Sequence, residues 1–240
     1  MTMMRLSTCF VRIATAATVL MAACTFAAGT ARAISGGTES SDPNGLRRHV
    51  VRIVGSDGRV CSGTIIGPTK IVTAAHCFTS ADPSRYRIMV LDHRFNEHWM
   101  SVAAIRIHPK FDRNGLERQT QLNDIAVVKA ASPLPADMAV APLSGGSVLG
   151  EMTAAGFGSG FAHGLRQAQV QAGSARLTRT GSQILTSIDG GACSGDSGGP
   201  IFRRSGNSFA LVGVISWTSG PCGSTTAVTP VGRYRSFIGG

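Results

Sequence analysis

An all-β fold, a sandwich or a barrel, is predicted by three observations. Short runs rich in β-branched residues recur from Ile34 onward, Gly, Pro, Asp and Ser separate them, and no helical period is sustained before the last residues. The first run, Val50–Val54, is β-branched at four of its five positions and ends at Gly55-Ser56-Asp57-Gly58. Cys61–Ile66 follows that turn and stops at Gly67-Pro68, and Lys70–Ala75 carries Ile-Val-Thr at its centre. Ile88–Val90 comes after Asp82-Pro83-Ser84, Val102–Ile107 ends at His108-Pro109, and Ile125–Val128 follows Asn123-Asp124. A second set comprises Met152–Gly156, Gln183–Ser187, Pro200–Phe202, Phe209–Ser216 and Thr226–Val231. Arg233–Ile238 is expected to form a short terminal helix that Gly239-Gly240 ends.

The chain has 240 residues, and its first 33 read as a leader. Met1–Arg12 is short and basic, Ile13–Ala28 is apolar, and Ala31-Arg32-Ala33 is an A-x-A cleavage site. The apolar stretch is too short and wrongly flanked for a membrane span, which needs about 18 apolar residues or more. Leu20-Met21-Ala22-Ala23-Cys24 also resembles a bacterial lipoprotein signal, which leaves lipidation of Cys24 as an alternative. Ala131–Gly146, rich in Pro, Ala and Gly, reads as a linker between two parts of roughly 100 residues each.

Loss of the leader removes Arg5, Arg12 and Arg32, so 20 basic against 13 acidic residues leave a formal charge of +7. The remaining Arg residues are scattered without a long basic block, which reads as a solvated surface and points to no nucleic-acid partner. Of six cysteines, Cys9 and Cys24 lie in the leader, leaving Cys61, Cys77, Cys193 and Cys222, which allow three pairings. No close C-x-x-C pair exists, and His93 and His98 flank Glu97 without a fourth ligand, so neither a metal nor a cofactor is expected.

Three motifs carry chemistry. Gly195-Asp196-Ser197-Gly198-Gly199-Pro200 sets a serine among glycines, Thr73-Ala74-Ala75-His76-Cys77 supplies an imidazole, and Asn123-Asp124-Ile125-Ala126 supplies a carboxylate beside an apolar run. A serine hydroxyl is a poor nucleophile until an imidazole takes its proton, and the imidazole needs a carboxylate to fix its tautomer. The chain order His, Asp, Ser distinguishes one triad type from the others. The linker puts His76 and Asp124 in one part and Ser197 in the other, which implies a cleft between two packed units.

These residues resemble the chymotrypsin/trypsin family of secreted serine endopeptidases, over Ile34 to Ile238. The resemblance implies two packed antiparallel six-stranded Greek-key β-barrels with a short C-terminal helix. Residues 34–130 would form the barrel carrying His76 and Asp124, residues 131–146 the linker, and residues 147–240 the barrel carrying Ser197. It further implies Ser197 as nucleophile, His76 as general base and then acid, and Asp124 as the orienting carboxylate. Gly195 and Ser197 would be the two oxyanion donors, and Ser216 would hydrogen-bond the carboxylate. The backbone at Ser216-Trp217 would pair with substrate, and the disulfides would be Cys61–Cys77 and Cys193–Cys222. Ile34-Ser35-Gly36-Gly37 resembles the family's mature N-terminus, whose α-ammonium pairs with the acid before the nucleophile, here Asp196. A cut after Ala33 frees Ile34 directly, so export itself is expected to activate the protein.

Specificity is read from the same resemblance. Gly191 stands where trypsin-like relatives carry an Asp, so a Lys or Arg side chain would lie there uncompensated; Asp189 is a different position. Thr218 and Ala227 align with the pocket walls and imply a shallow pocket for Ala, Val or Leu. An extra Pro221 before Cys222 leaves an aromatic preference as the alternative. His108 and Gly156-Phe157-Gly158 are read as structural. The expected partners are polypeptide substrates and protein protease inhibitors of a monomer that is extracellular or periplasmic. The competing reading is a cationic, non-catalytic binding protein on the same scaffold.

Overall fold

The β-branched runs become strands, and two polar stretches join them. The computed structural model describes residues 33–240 apart from 42–44, 116–122, 146–147, 149, 159–163, 173–181, 189, 207 and 224. The signal peptide expected at 1–33 thus lies, but for Ala33, outside the described residues. The strands are β1 (Thr38–Glu39), β2 (Val50–Gly55), β3 (Val60–Ile65), β4 (Lys70–Thr73), β5 (Tyr86–Leu91), β6 (Glu97–Ile107) and β7 (Ala126–Ala130). They continue as β8 (Gly150–Gly156), β9 (Arg166–Ala172), β10 (Gln183–Ser187), β11 (Pro200–Ser205), β12 (Ser208–Ser219) and β13 (Thr225–Pro230), before the helix α1 (Arg235–Gly239).

Antiparallel pairing closes β2-β3-β4-β7-β6-β5 into a barrel. In the second half β9-β10-β13-β12-β11-β8 are neighbours in that order, and a β9–β8 pairing closes this ring as well. The first barrel is filled by β-branched side chains such as Val51, Ile53, Ile71 and Ile88, all buried. Each contributes about 1.5–3 kcal/mol by leaving water. Ile34, Met152, Leu185, Ile201, Val212, Ile215 and Val228 fill the second barrel. Two all-β barrels with a terminal helix are therefore the observed architecture.

Three elements depart from the sequence reading. β6 begins at Glu97, well before Val102: Glu97, His98 and Trp99 bury no side chain, and pairing with Leu91, Val90 and Met89 of β5 extends the strand. β9 (Arg-Gln-Ala-Gln-Val-Gln-Ala) has almost no β-branched residues, yet it pairs with β8 over seven positions and with β1 and β10. Tertiary pairing overrides its weak local preference. The Lys70–Ala75 run stops as a strand at Thr73 and becomes a 3-10 turn over Ala75–Cys77.

Each end of the described part of the chain crosses to the opposite barrel. β1 pairs with β9, so the start of the N-terminal half is built into the second barrel. At the other end, the Phe237 carbonyl accepts from Arg106, and the Tyr234 hydroxyl donates to Asn123. His108 packs edge-on against Tyr234 and Phe237, which gives that histidine its structural role. The Pro-rich linker is tied down as well: the Leu134, Ala139 and Ala141 N–H groups donate to the first barrel, and Ser144 donates to Leu211 of the second.

Candidate active site

The rim of the first barrel brings His76 and Asp124 together. Thr73, at the end of β4, pairs with Ala126, at the start of β7, so the residues just beyond each strand share one end of the barrel. The Cys61–Cys77 disulfide ties the His76 turn back to β3. Asp124 is fully buried. Its Oδ1 accepts from the His76 backbone N–H at 2.9 Å, and its Oδ2 lies 2.8 Å from His76 Nδ1. Oδ2 also accepts from Ser216 Oγ. Ser216 reaches inward because β12 carries a bulge between Ile215 and Trp217, a device that re-aims a side chain. Burial resists the charge on Asp124, but His76 and the Ser216 hydroxyl outweigh it and hold the carboxyl below its ordinary 3.8. An ionised carboxylate only accepts, so Nδ1 is the donor in this contact, and in the neutral ring the lone pair is then on Nε2.

Ser197, from the second barrel, lies against the turn that carries His76. Its carbonyl accepts from the Ser62 N–H at 2.8 Å and lies 3.8 Å from Cys77 Sγ, which is disulfide-bonded and has no proton to give. Gly198 has φ 82° and lies against Thr73, Ser62 and Ala74, so a side chain there is barred by both conformation and space. Its N–H donates to Ile215 at 2.7 Å, and the Ile215 N–H returns a bond to Gly199 at 2.9 Å. The loop is thereby clamped to β12 on one side and to the first barrel on the other.

Behind Ser197, the buried Asp196 accepts three backbone N–H bonds: Ile34 at 2.8 Å, Cys193 at 2.9 Å and Gly158 at 3.0 Å. Burial nevertheless pushes its carboxyl up to about 7, because an amide N–H offers only a partial charge. Ile34 is completely buried in the core of the second barrel, and Ala33 is wedged against Gly158. With Ala33 attached, Ile34 has φ 36°, a left-handed conformation that a β-branched residue adopts only under strain. A chain that began at Ile34 would have no φ there, and the strain would vanish.

The pocket region follows from strand register. Trp217 pairs with Ala227, and Thr218 pairs with Thr226. Directly opposed residues share a face of the sheet, so Thr226, not Ala227, stands beside Thr218. Thr226 Oγ1 also accepts from the Ala192 N–H at 3.3 Å, next in the chain to Gly191. The resemblance names Ala227 as the second wall, whereas Thr226 is the residue that opposes Thr218, and one residue along a strand exchanges its face. At Gly191 a Cβ would stand 2.8 Å from the Gly223 carbonyl oxygen, so backbone closes this position to any side chain. The Gly191 N–H donates to Ser35 at 3.0 Å, which couples the Ile34 segment to the same region. A second disulfide joins Cys193 to Cys222. Asp189 lies outside the described residues.

Other chemistry-bearing residues are accounted for locally. His98 Nε2 lies 2.9 Å from Asp92, and Trp99 Nε1 donates to Glu97, so His93, His98 and Glu97 do not converge. Cys61, His76 and Cys77 are close enough to suggest a metal group, but both sulfurs are consumed in a disulfide. Gly156-Phe157-Gly158 does more than pack: Phe157 N–H donates to Ser62 Oγ and Gly158 N–H to Asp196. Ser62 and Thr226 escape a reading of the sequence, since neither lies in a motif that names its partner.

The double barrel agrees with comparison to known proteins. A family model described as Trypsin matches residues 34–238, and the chain belongs to the trypsin family. It is 31% identical to human kallikrein-11 over 211 residues, covering 75% of this chain and 70% of that protein. It is 28% identical to trypsin of Sus scrofa over 190 residues, covering 69% and 77% respectively. With mouse vitamin K-dependent protein C the identity is 27% over 217 residues, and this chain spans 45% of that protein's length. The solved human heparin binding protein superposes with a TM-score of 0.67 at 23% identity, covering 85% of this chain and 94% of that one, which shows a shared fold.

Proposed function

We propose that this chain is an exported serine endopeptidase that cleaves polypeptides after small or medium apolar residues. The observation that carries the reading is the buried Asp124 carboxylate, which holds His76 by two bonds and so leaves Nε2 as a base. In the proposed reaction His76 Nε2 takes the Ser197 Oγ proton as Oγ attacks the scissile carbonyl carbon. The Gly195 and Ser197 N–H groups stabilise the oxyanion. His76 then hands the proton to the leaving amine, and water, activated in the same way, hydrolyses the acyl-enzyme. His76 and Asp124 come from one barrel and Ser197 from the other, so the cleft between them is the substrate site.

Export is supported by the leader and the two disulfides, and among the described residues no helix is long and apolar enough to cross a membrane. The burial and strain at Ala33–Ile34 favour a mature chain starting at Ile34, with its ammonium on Asp196. Protein protease inhibitors would bind the same cleft as substrate.

The small-residue preference rests on Thr218 and Thr226 standing opposite one another, with Thr226 bonded to Ala192 beside Gly191 in the chain. Ala-Ala-Pro-Ala and Ala-Ala-Pro-Val esters are expected to exceed Ala-Ala-Pro-Phe in kcat/KM by about 10-fold or more, the scale on which an apolar pocket discriminates by size. Thr226→Gly is expected to raise the Phe ester relative to the Ala ester. Phe hydrolysis that is much faster in the unaltered chain would overturn the small pocket in favour of an aromatic one. The second reading, a cationic binding protein, draws on the net charge and on the name of the solved heparin binding protein; it predicts no ester turnover at all.

A further inference from the structure

The geometry points to Ser62 as the positioning residue of the oxyanion loop, an inference that rests on the catalytic reading above. Ser62 lies on β3 of the first barrel and is fully buried. Its Oγ donates to the Gly195 carbonyl at 3.1 Å and accepts from the Phe157 N–H at 3.0 Å. Its own N–H donates to the Ser197 carbonyl at 2.8 Å, and its carbonyl accepts from Thr73 Oγ1 at 2.7 Å. One residue of the opposite barrel therefore holds the carbonyls of both Gly195 and Ser197, whose N–H groups form the proposed oxyanion site.

The direction of each bond is fixed by chemistry. The Phe157 N–H can only donate, so Oγ accepts there, and the single hydroxyl proton goes to the Gly195 carbonyl, which can only accept. Gly195 needs this restraint. It has φ 88° and no Cβ, so its own sterics leave it free to turn. Anchoring its carbonyl fixes the Gly195–Asp196 peptide plane and with it the Gly195 Cα, which narrows the swing of the preceding plane that carries the Gly195 N–H. The backbone bond to Ser197 survives any substitution at Ser62 other than proline, whereas the bond to Gly195 depends on the hydroxyl alone. Ser62 acts through Gly195 and not on substrate.

The test compares Ser62→Ala with Ser62→Thr, which keeps a hydroxyl, and Ser62→Cys, which keeps the size with a weaker donor. Each is assayed on the Ala-Ala-Pro-Ala ester and with the matching peptide boronate, whose tetrahedral adduct places an oxygen in the oxyanion site. Outright loss of one oxyanion donor costs about 10²–10³ in kcat, and a misaligned donor is expected to cost about 10–100-fold. Ser62→Ala should lose that factor in kcat with KM within about twofold, boronate affinity should fall in parallel, and Thr should restore most of both. Should Ala prevent folding, Ser62→Cys carries the test, with an intermediate kcat expected. Unaltered kcat and boronate affinity in Ala or Cys overturn the assignment, as does a loss confined to KM. A wild-type chain that neither hydrolyses the ester nor reacts with diisopropyl fluorophosphate overturns the catalytic reading instead, and this one with it.

Discussion

Asp124→Asn is expected to lower kcat about 10⁴-fold and leave the chain folded, the magnitude being that of the equivalent substitution in a trypsin-family enzyme. Donors and acceptors decide the outcome. In the native site both carboxylate oxygens accept, from His76 N–H, His76 Nδ1–H and Ser216 Oγ. An asparagine keeps one acceptor oxygen and turns the other position into a donor. If its oxygen stays on the His76 backbone, its NH₂ faces Nδ1, which must give up its proton to accept. The proton then sits on Nε2, and no base faces Ser197. Folding should persist because the side chain keeps its shape and the Cys61–Cys77 bridge still holds the turn. Circular dichroism and ester kinetics on the purified variant check both halves, and a loss of less than about 10-fold would remove Asp124 from the mechanism.

A chain that retains Ala33 is expected to hydrolyse the ester about 10²–10³-fold more slowly than one that begins at Ile34, the equivalent of leaving a buried charge without its partner. In the uncut chain Asp196 has three amide donors and a weaker pull from the Arg166 guanidinium, and burial still lifts its carboxyl to about 7. Between about pH 4 and 7 the folded protein then holds a proton that the unfolded chain has released. The stability this contributes is complete below the unfolded value of 3.8 and is lost as pH rises through about 7. At neutral pH the uncut chain therefore ionises Asp196 at a cost to the loop that carries Ser197. Starting the chain at Ile34 puts an ammonium on the carboxylate, reverses that slope and relieves the strained Ile34 backbone. Thermal unfolding from pH 4 to 8 on both chains, each as the Ser197→Ala variant to prevent autolysis, reads the effect. Parallel pH profiles and equal ester rates in the active forms would contradict the role given to Ile34.

The sequence carried the barrel strands because Val and Ile cluster where side chains fill a closed interior, as in Val50–Val54 and Ile125–Val128. It did not carry β9, whose Arg, Gln and Ala residues are held by neighbours on both sides and not by their own preference. His76, Asp124 and Ser197, the proposed triad, stand out in the sequence because each sits in a motif whose neighbours have mechanical duties: a cysteine to pin the turn, an apolar run to bury the acid, glycines to let the loop close. The face on which Thr226 lies does not, since it depends on register across the Pro221 insertion. Ser62 was silent for another reason. Its partners, Gly195 and Phe157, are more than ninety residues away, and they are backbone groups that any residue types could present.

The most direct test of an activated Ser197 is the intact mass of the exported protein before and after exposure to diisopropyl fluorophosphate, with peptide mapping of the adduct. Phosphorylation of a serine by this reagent requires both a base to take the proton and donors for the developing oxyanion. The expected result is a chain beginning at Ile34 that gains a single adduct, on Ser197. A chain that begins at Ile34 and gains none would contradict the catalytic account and leave the cationic binding protein as the reading.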